Sequence, residues 1–443
     1  MRDLAFIGFL AALLGLGFRR PFLFVLAYVY IDCVAPQRLT YYLLNSVPIS
    51  LLSVVLAVGG WAIADDKSDL RIAPRQVLIV ALLGYCGATT MSADFPLEAQ
   101  DKWEWVWKAL AFAAFLPLTL RTRARIESLL LFMTLSAASI IILGGIKTLL
   151  SGGGYGQLNL IVTDNYGLYE SSIISAVAIA IVPIVLWFTR HGTVFAPDWR
   201  VKLFSYALVF ACLLMPIGTS ARTGLLCIGM LAVTQFREAK RKALYAGLVV
   251  AGVAVSIPFL PTGFTQRMET IQTYQADESA STRIAVWAWT LDYVKQHPFG
   301  GGFDAYRQNE LSYHTVREEG GAVKAERTTD QARAYHSSYF EMLGEQGWPG
   351  LILWLLINVG GVVRMEVLRR RYAQGELAWA GGFAAALQNA HLIYLLGAVF
   401  VGIAFQPFVY MLVGTQIGLD AYLARLRAKA SFRPMRPAEP VPA

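Results

Sequence analysis

The chain has 443 residues, of which 56% are hydrophobic and only 15% charged, with a mean hydropathy of +0.50. Such a composition excludes a soluble globular domain and points to one integral membrane domain. The formal net charge of +8 does not point to nucleic acid, because the basic residues are distributed among short loops between apolar runs, where they orient a membrane protein.

The first apolar run, 4–18, follows a single Arg2 and passes into Phe18-Arg19-Arg20-Pro21 without a small-residue cleavage site, so it reads as a retained helix rather than a removed signal peptide. A span needs roughly 20 apolar residues. Further apolar runs lie near 21–35, 47–64, 76–92, 103–119, 127–149, 171–188, 203–218, 223–236, 243–260, 348–366, 383–404 and 407–423. Together they predict an all-α polytopic membrane protein with twelve or thirteen transmembrane helices. Residues 1–260 hold the first ten, 261–346 form one large, partly helical extracytoplasmic loop, and 347–424 hold the C-terminal spans. The tail, 425–443, is expected to be cytoplasmic and, from its prolines, disordered. Cys33, Cys86, Cys212 and Cys227 all fall inside apolar runs and read as small buried hydrophobes, not as a disulfide or metal set.

Lys and Arg separate the loops into two classes. Those near 19–20, 67–75, 121–125, 190–202, 237–242, 364–371 and 425–436 are rich in them, which predicts a cytoplasmic position. The alternate short loops hold little beyond Arg38, Lys102 and Arg222, and parity places 152–170 and 261–346 on that same outer side. Trp103, Trp105 and Trp107 mark an outer interfacial belt.

Chemistry is therefore sought at the outer ends. Arg222 sits in the tight turn Gly218-Thr219-Ser220-Ala221-Arg222, the one basic residue of its hairpin. Within the long loop, a polar lead from 270 precedes an amphipathic helix that Ser281 can cap, with Ile284, Trp287, Leu291 and Val294 on one face. Arg283 falls in its first turn, where a cation opposes the helix dipole and makes more sense if an anion meets it. His297-Pro298-Phe299-Gly300-Gly301-Gly302 ends that helix and is a structural turn, not a phosphate loop, since no Lys and Ser/Thr follow the glycines. A second helix is predicted over 330–347, with Tyr335, Tyr339, Met342 and Leu343 along the membrane surface and His336 facing the bundle mouth. His314 reads as solvated and His391 as hydrogen-bonded within a span. No HExxH, outer DxD or Cys/His cluster is present, so neither a metal nor another cofactor is expected. Asp65, Asp66 and Asp69 fall on the cytoplasmic side, and only Asp32 stands near the first outer loop.

Three segments of this chain resemble the O-antigen ligase and polymerase superfamily. They are Ser220-Ala221-Arg222, the run from Arg283 through Trp287 to His297-Pro298 and its glycines, and His336-Ser337-Ser338-Tyr339-Phe340 leading to Glu345-Gln346-Gly347-Trp348-Pro349-Gly350. The resemblance covers about 171–422, and the N-terminal part is similar to the O-glycosylation ligases associated with exosortase A systems. Ser337 stands where many ligases have Asn, and Gly300 where a second bulky apolar residue is usual. The resemblance implies transfer of a preassembled glycan from a polyprenyl (undecaprenyl) diphosphate to an acceptor hydroxyl on a protein Ser or Thr, or alternatively on a lipid A core or a growing polysaccharide. It also implies a multi-pass protein of the bacterial inner membrane with its site facing the periplasm. In that reading His336, Arg222 and Arg283 are catalytic, and Arg222, Arg283, Ser220 and Tyr339 bind substrate. The competing class is a transporter or lipid-linked sugar flippase, whose ionisable sites belong near the bilayer midplane.

Overall fold

The computed structural model describes residues 2–40, 44, 47–151, 167–256, 278–319 and 322–431. Its first helices are α1 (Arg2–Gly17), α2 (Phe22–Val34), α3 (Ile49–Ala64), α4 (Pro74–Met91), α5 (Pro96–Thr119) and α6 (Arg123–Ser151). Next come α7 (Ser171–His191), α8 (Trp199–Gly218), α9 (Arg222–Glu238) and α10 (Lys242–Ser256). The long loop contributes α11 (Glu278–Gln296) and a hairpin of β1 (Glu310–Glu319) and β2 (Ala322–Gln331); α12 (Ser338–Arg371), α13 (Ala378–Gly397) and α14 (Pro407–Ser431) complete the chain.

This is an all-α polytopic membrane protein. By length and composition α6, α7, α8 and α12 can each cross a bilayer, and α1, α2, α3 and the first part of α10 are shorter apolar helices. The remaining expected spans are also helices, but they turn polar residues inward. In α13, for example, Gln388, Asn389 and His391 are all buried. In lipid such groups need partners inside the bundle, and they have them: His391 Nε2 lies 3.0 Å from Asn358 Oδ1 and its Nδ1 lies 3.0 Å from Gln416 Nε2. Arg75 Nη1 then donates to Gln416 Oε1 at 2.9 Å, so α4, α12, α13 and α14 are pinned to one another.

At the centre stands α7. It is apolar from Ile174 to Val185, apart from Ser175 and Pro183, and it packs against α6, α8, α9 and α13. A helix apolar all round belongs inside, and almost all of this one is buried.

The loops sort into two groups. At one end Arg125 pairs with Asp65 (2.8 Å), Arg121 with Asp66 (3.3 Å) and Arg364 with Asp420 (2.8 Å), while Arg123 donates to the carbonyl of His191 and Arg425 to that of Leu120. At the other, the Tyr169 hydroxyl donates to Val34 O (2.6 Å), Asp94 N to Gly301 O (2.8 Å) and Ser338 N to Ala398 O (2.8 Å). The basic loops thus share one end, and the long loop and Arg222 share the other.

Four local expectations need correction. Ser281 is not a cap, because α11 already begins at Glu278, and Arg283 falls beyond its first turn. The buried face of that helix carries Val286, Thr290, Tyr293 and Val294, while Ile284 (56% exposed) and Leu291 (47% exposed) point away from the protein. The second helix starts at Ser338, not 330, because positive φ at Ala332 and His336 interrupts any helical path before it. The antiparallel pairing of β1 with β2, which runs out to Glu319 and Ala322, was also missed, although Gly-Gly between two such runs is a hairpin signal in sequence. His314 lies on β1. The polar lead 270–277, most of the 152–170 loop and the tail beyond 431 lie outside the described residues.

Candidate functional site

Two glycine turns lock the long loop onto α12. Gly300 (φ +85°) and Gly347 (φ +62°) approach each other backbone to backbone: a side-chain carbon at Gly300 would lie 2.4 Å from Glu345 O, and one at Gly347 2.3 Å from Pro298 O. Only glycine combines left-handed φ with that contact at no steric cost. Gly301 N, Gly302 N and Trp348 N donate across the joint to Gly344 O, Glu345 O and Pro298 O. Gly347 is also the point where α12 breaks, so the joint fixes the short outer piece that begins at Ser338.

Above the joint α11 lies along that outer piece. Trp287 stacks on Phe340, with ring centroids 4.9 Å apart and planes 5° from parallel, and its indole N–H donates to Tyr335 O at 2.9 Å. From the other side Asn309 brackets Arg333, donating from Nδ2 to its carbonyl (2.7 Å) and accepting from its N–H (3.0 Å). Beyond the histidine, the Ser338 hydroxyl donates to Val401 O and accepts from Ile403 N, both at 2.9 Å. His336 therefore sits in a short irregular segment clamped at both ends.

Its backbone is strained: φ is +47°, a region a non-glycine residue occupies at a cost of order 1–3 kcal/mol. Ser220, at φ +50°, is strained in the same way. Strain of this kind persists only where the surroundings over-determine it, and it gathers at working sites. The imidazole is exposed, yet its pKa falls below the ordinary histidine value, first through desolvation by the chain around it and then through the positive charges of Arg283 and Arg333. Arg283, one helical turn before Trp287, is therefore within electrostatic reach of His336.

Arg222 arrives on a different element. It is the first residue of α9, which packs on α13: the Cys227 thiol lies 3.6 Å from Ile393 O, and Gly397 faces Thr223 and Cys227. Ser338 binds the next residue of the same α13 terminus, Ala398, and the Tyr339 hydroxyl donates to Leu395 O at 3.2 Å. The starts of α9 and α12, and with them Arg222 and His336, thus converge on the C-terminal end of α13. Tyr339, half-buried with its ring edge-on to Trp354, braces the corner by that hydrogen bond, and its hydroxyl can still accept one.

Sequence reasoning missed a second charged cluster nearby. Lys102 of α5 reaches Glu341 (2.7 Å) and Glu345 (2.8 Å) on the outer piece of α12. Both carboxylates are buried, and each takes a further backbone N–H, from Ala404 and Asp304 respectively. With those bonds satisfied, the buried ion pairs anchor α12 to α5. The only signal in sequence was one lysine in a loop class otherwise poor in cations.

Against known proteins, residues 1–193 match a family of unknown function (DUF5935), and residues 206–355 match the O-antigen ligase family. The second range contains Ser220, Arg222, Arg283, His336 and Tyr339. The chain is 26% identical over 165 residues to the exopolysaccharide production protein ExoQ of Rhizobium meliloti (strain 1021), a stretch covering 35% of each protein. It thus spans about a third of the length of that relative.

Proposed function

From the match of residues 206–355 to the O-antigen ligase family we propose that this protein is a glycosyltransferase, moving a preassembled glycan from a polyprenyl diphosphate carrier to an acceptor hydroxyl. The observation that carries the proposal is the convergence of α9 and α12 on the end of α13, with Arg283 close enough to alter the protonation of His336. In the reaction, the neutral His336 imidazole takes the acceptor O–H proton as the oxygen attacks the anomeric carbon. The bond from that carbon to the phosphate oxygen breaks with its electron pair going to the leaving diphosphate, and attack from the opposite face inverts the centre. Charge developing on the diphosphate is met by the guanidinium groups of Arg222 and Arg283, whose planar forks suit bidentate contact with phosphate oxygens. Ser220 and Tyr339 supply further hydrogen bonds to the donor.

The end that carries the long loop faces the periplasm of a bacterial inner membrane, as the Lys/Arg asymmetry supports. The acceptor is assigned to protein Ser or Thr from the likeness of the N-terminal part to exosortase-associated ligases. Purified protein would be given an undecaprenyl diphosphate glycan of defined structure and offered a Ser/Thr peptide, a lipid A core and a free glycan, with products read by mass spectrometry. Glycopeptide is expected. Product on the lipid core or free glycan would replace the acceptor, and absence of covalent transfer to all three, alongside movement of the donor across liposomes, would replace the enzyme with a carrier.

A further inference from the structure

Beside the Lys102 cluster lies a cavity of about 310 Å³, walled by α2, α5, the outer piece of α12 and the 402–407 segment. It lies at the end that carries His336, since the Ser338 hydroxyl ties the 401–403 backbone that forms its rim. Glu341, on its wall, follows Ser338 by one turn. The lining is polar: Asp32, Lys102, Glu341 and Gln406, with the ring of Trp105 and the side chain of Ile173.

Two of these groups keep unmatched polar atoms. Gln406 is only 8% exposed, and its side-chain amide makes no hydrogen bond among the described residues. Asp32 Oδ2 is buried without a hydrogen-bond partner among the described residues. Leaving such groups unmet is costly, so the cavity suits an occupant that brings donors and acceptors. The occupant is not the diphosphate. Lys102 is already matched by Glu341 and Glu345, and no second basic residue is among the described residues that line the cavity.

We propose that this cavity is a subsite for one neutral sugar ring of the glycan substrate. Carboxyl oxygens at Asp32 and Glu341 accept hydrogen bonds from ring hydroxyls, the Gln406 amide both donates and accepts, and Trp105 offers an apolar ring against which sugar C–H groups pack. The volume lies at the small end of ligand pockets, enough for a single ring and not for a chain. The subsite deepens the transferase reading and rests on it for its purpose. The ring comes from the donor glycan or from a sugar-bearing acceptor.

The test uses full-length protein in detergent and a panel of free hexoses, N-acetylhexosamines and 6-deoxyhexoses, with binding read by saturation-transfer NMR. At least one sugar is expected to bind, and binding should weaken about tenfold in Gln406→Met, which removes the amide at nearly constant shape. Ile173→Trp, which fills the cavity without touching its polar groups, should weaken it as much and guards against misfolding of the first variant. No binding across the panel, or equal binding in wild type and both variants, overturns the subsite. Binding by protein that performs no transfer would sink the proposed function and leave the subsite standing. With an active enzyme, a raised KM for the donor alone or for the acceptor alone in Ile173→Trp identifies which substrate supplies the ring.

Discussion

In the proposed reaction His336 serves as the base because its neighbours keep it neutral. Desolvation and the guanidinium groups of Arg283 and Arg333 penalise the imidazolium, so its pKa lies below the ordinary value of about 6.5. The proton-accepting form then persists into mildly acidic medium, and kcat/KM should rise with pH through an acid limb below 6.5 and be flat near neutrality. Arg333→Ala removes one of those positive charges, so the limb should move toward higher pH; a pH–rate profile unchanged by that substitution would separate the limb from His336. His336→Ala should lower transfer by about 10² to 10⁴ while inserted, folded protein is still recovered, as size-exclusion profiles would show. Arg222→Lys should cost transfer about 10² or more despite the retained charge, since an ammonium lacks the guanidinium fork. At this scale Arg222, Arg283 and His336 were open to proposal from sequence, although the helix starts drawn around Arg283 and His336 do not hold. Lys102 was not, because its partners lie 239 and 243 residues away in sequence.

Among the elements, the joint between the glycine turns decides where the segment bearing His336 sits. Gly347→Ala combines a strained φ with a 2.3 Å collision against Pro298 O, so a destabilisation of about 1–3 kcal/mol or more is expected. Thermal unfolding in detergent would measure it, and kcat should fall with it because α11 and its Arg283 lose their seat. Periodicity revealed α11 as a helix but gave its face incorrectly. The helix has apolar residues on both sides, and a period carries no phase when two stripes compete; packing on α12 and β1 chose Val286, Thr290 and Val294. Residues 330–337 were misread for a related reason: nothing in their composition forbids a helix. The kinked path comes instead from bonds to Asn309, Trp287 and Ala398 that only the folded chain supplies.

For the whole molecule, the alternation of Lys and Arg grouped the loops as the structure groups them, because loop charge is a property of single segments and survives ignorance of packing. The number of bilayer-crossing helices was harder to read, since interior helices such as α13 trade hydropathy for buried polar pins. All four cysteines are buried, so introduced thiols can report sidedness against little background. Phe299→Cys, at an exposed position beside the glycine turn, should react with an impermeant maleimide added to spheroplasts. Ala373→Cys, exposed after the Arg369-Arg370-Arg371 run, should react only once the membrane is opened, and the reverse pattern would invert the topology.

The long reach of the Lys102 bridges also bears on biogenesis. At about 5–20 residues per second on the ribosome, α5 is made on the order of 10 to 50 s before Glu341 and Glu345 exist. During translation the lysine stays hydrated, and its side of the bundle cannot close dry around it. Arrival of the two carboxylates is what lets water leave, so a nascent chain that stops short of them stays ajar and recognisable to membrane proteases as unfinished.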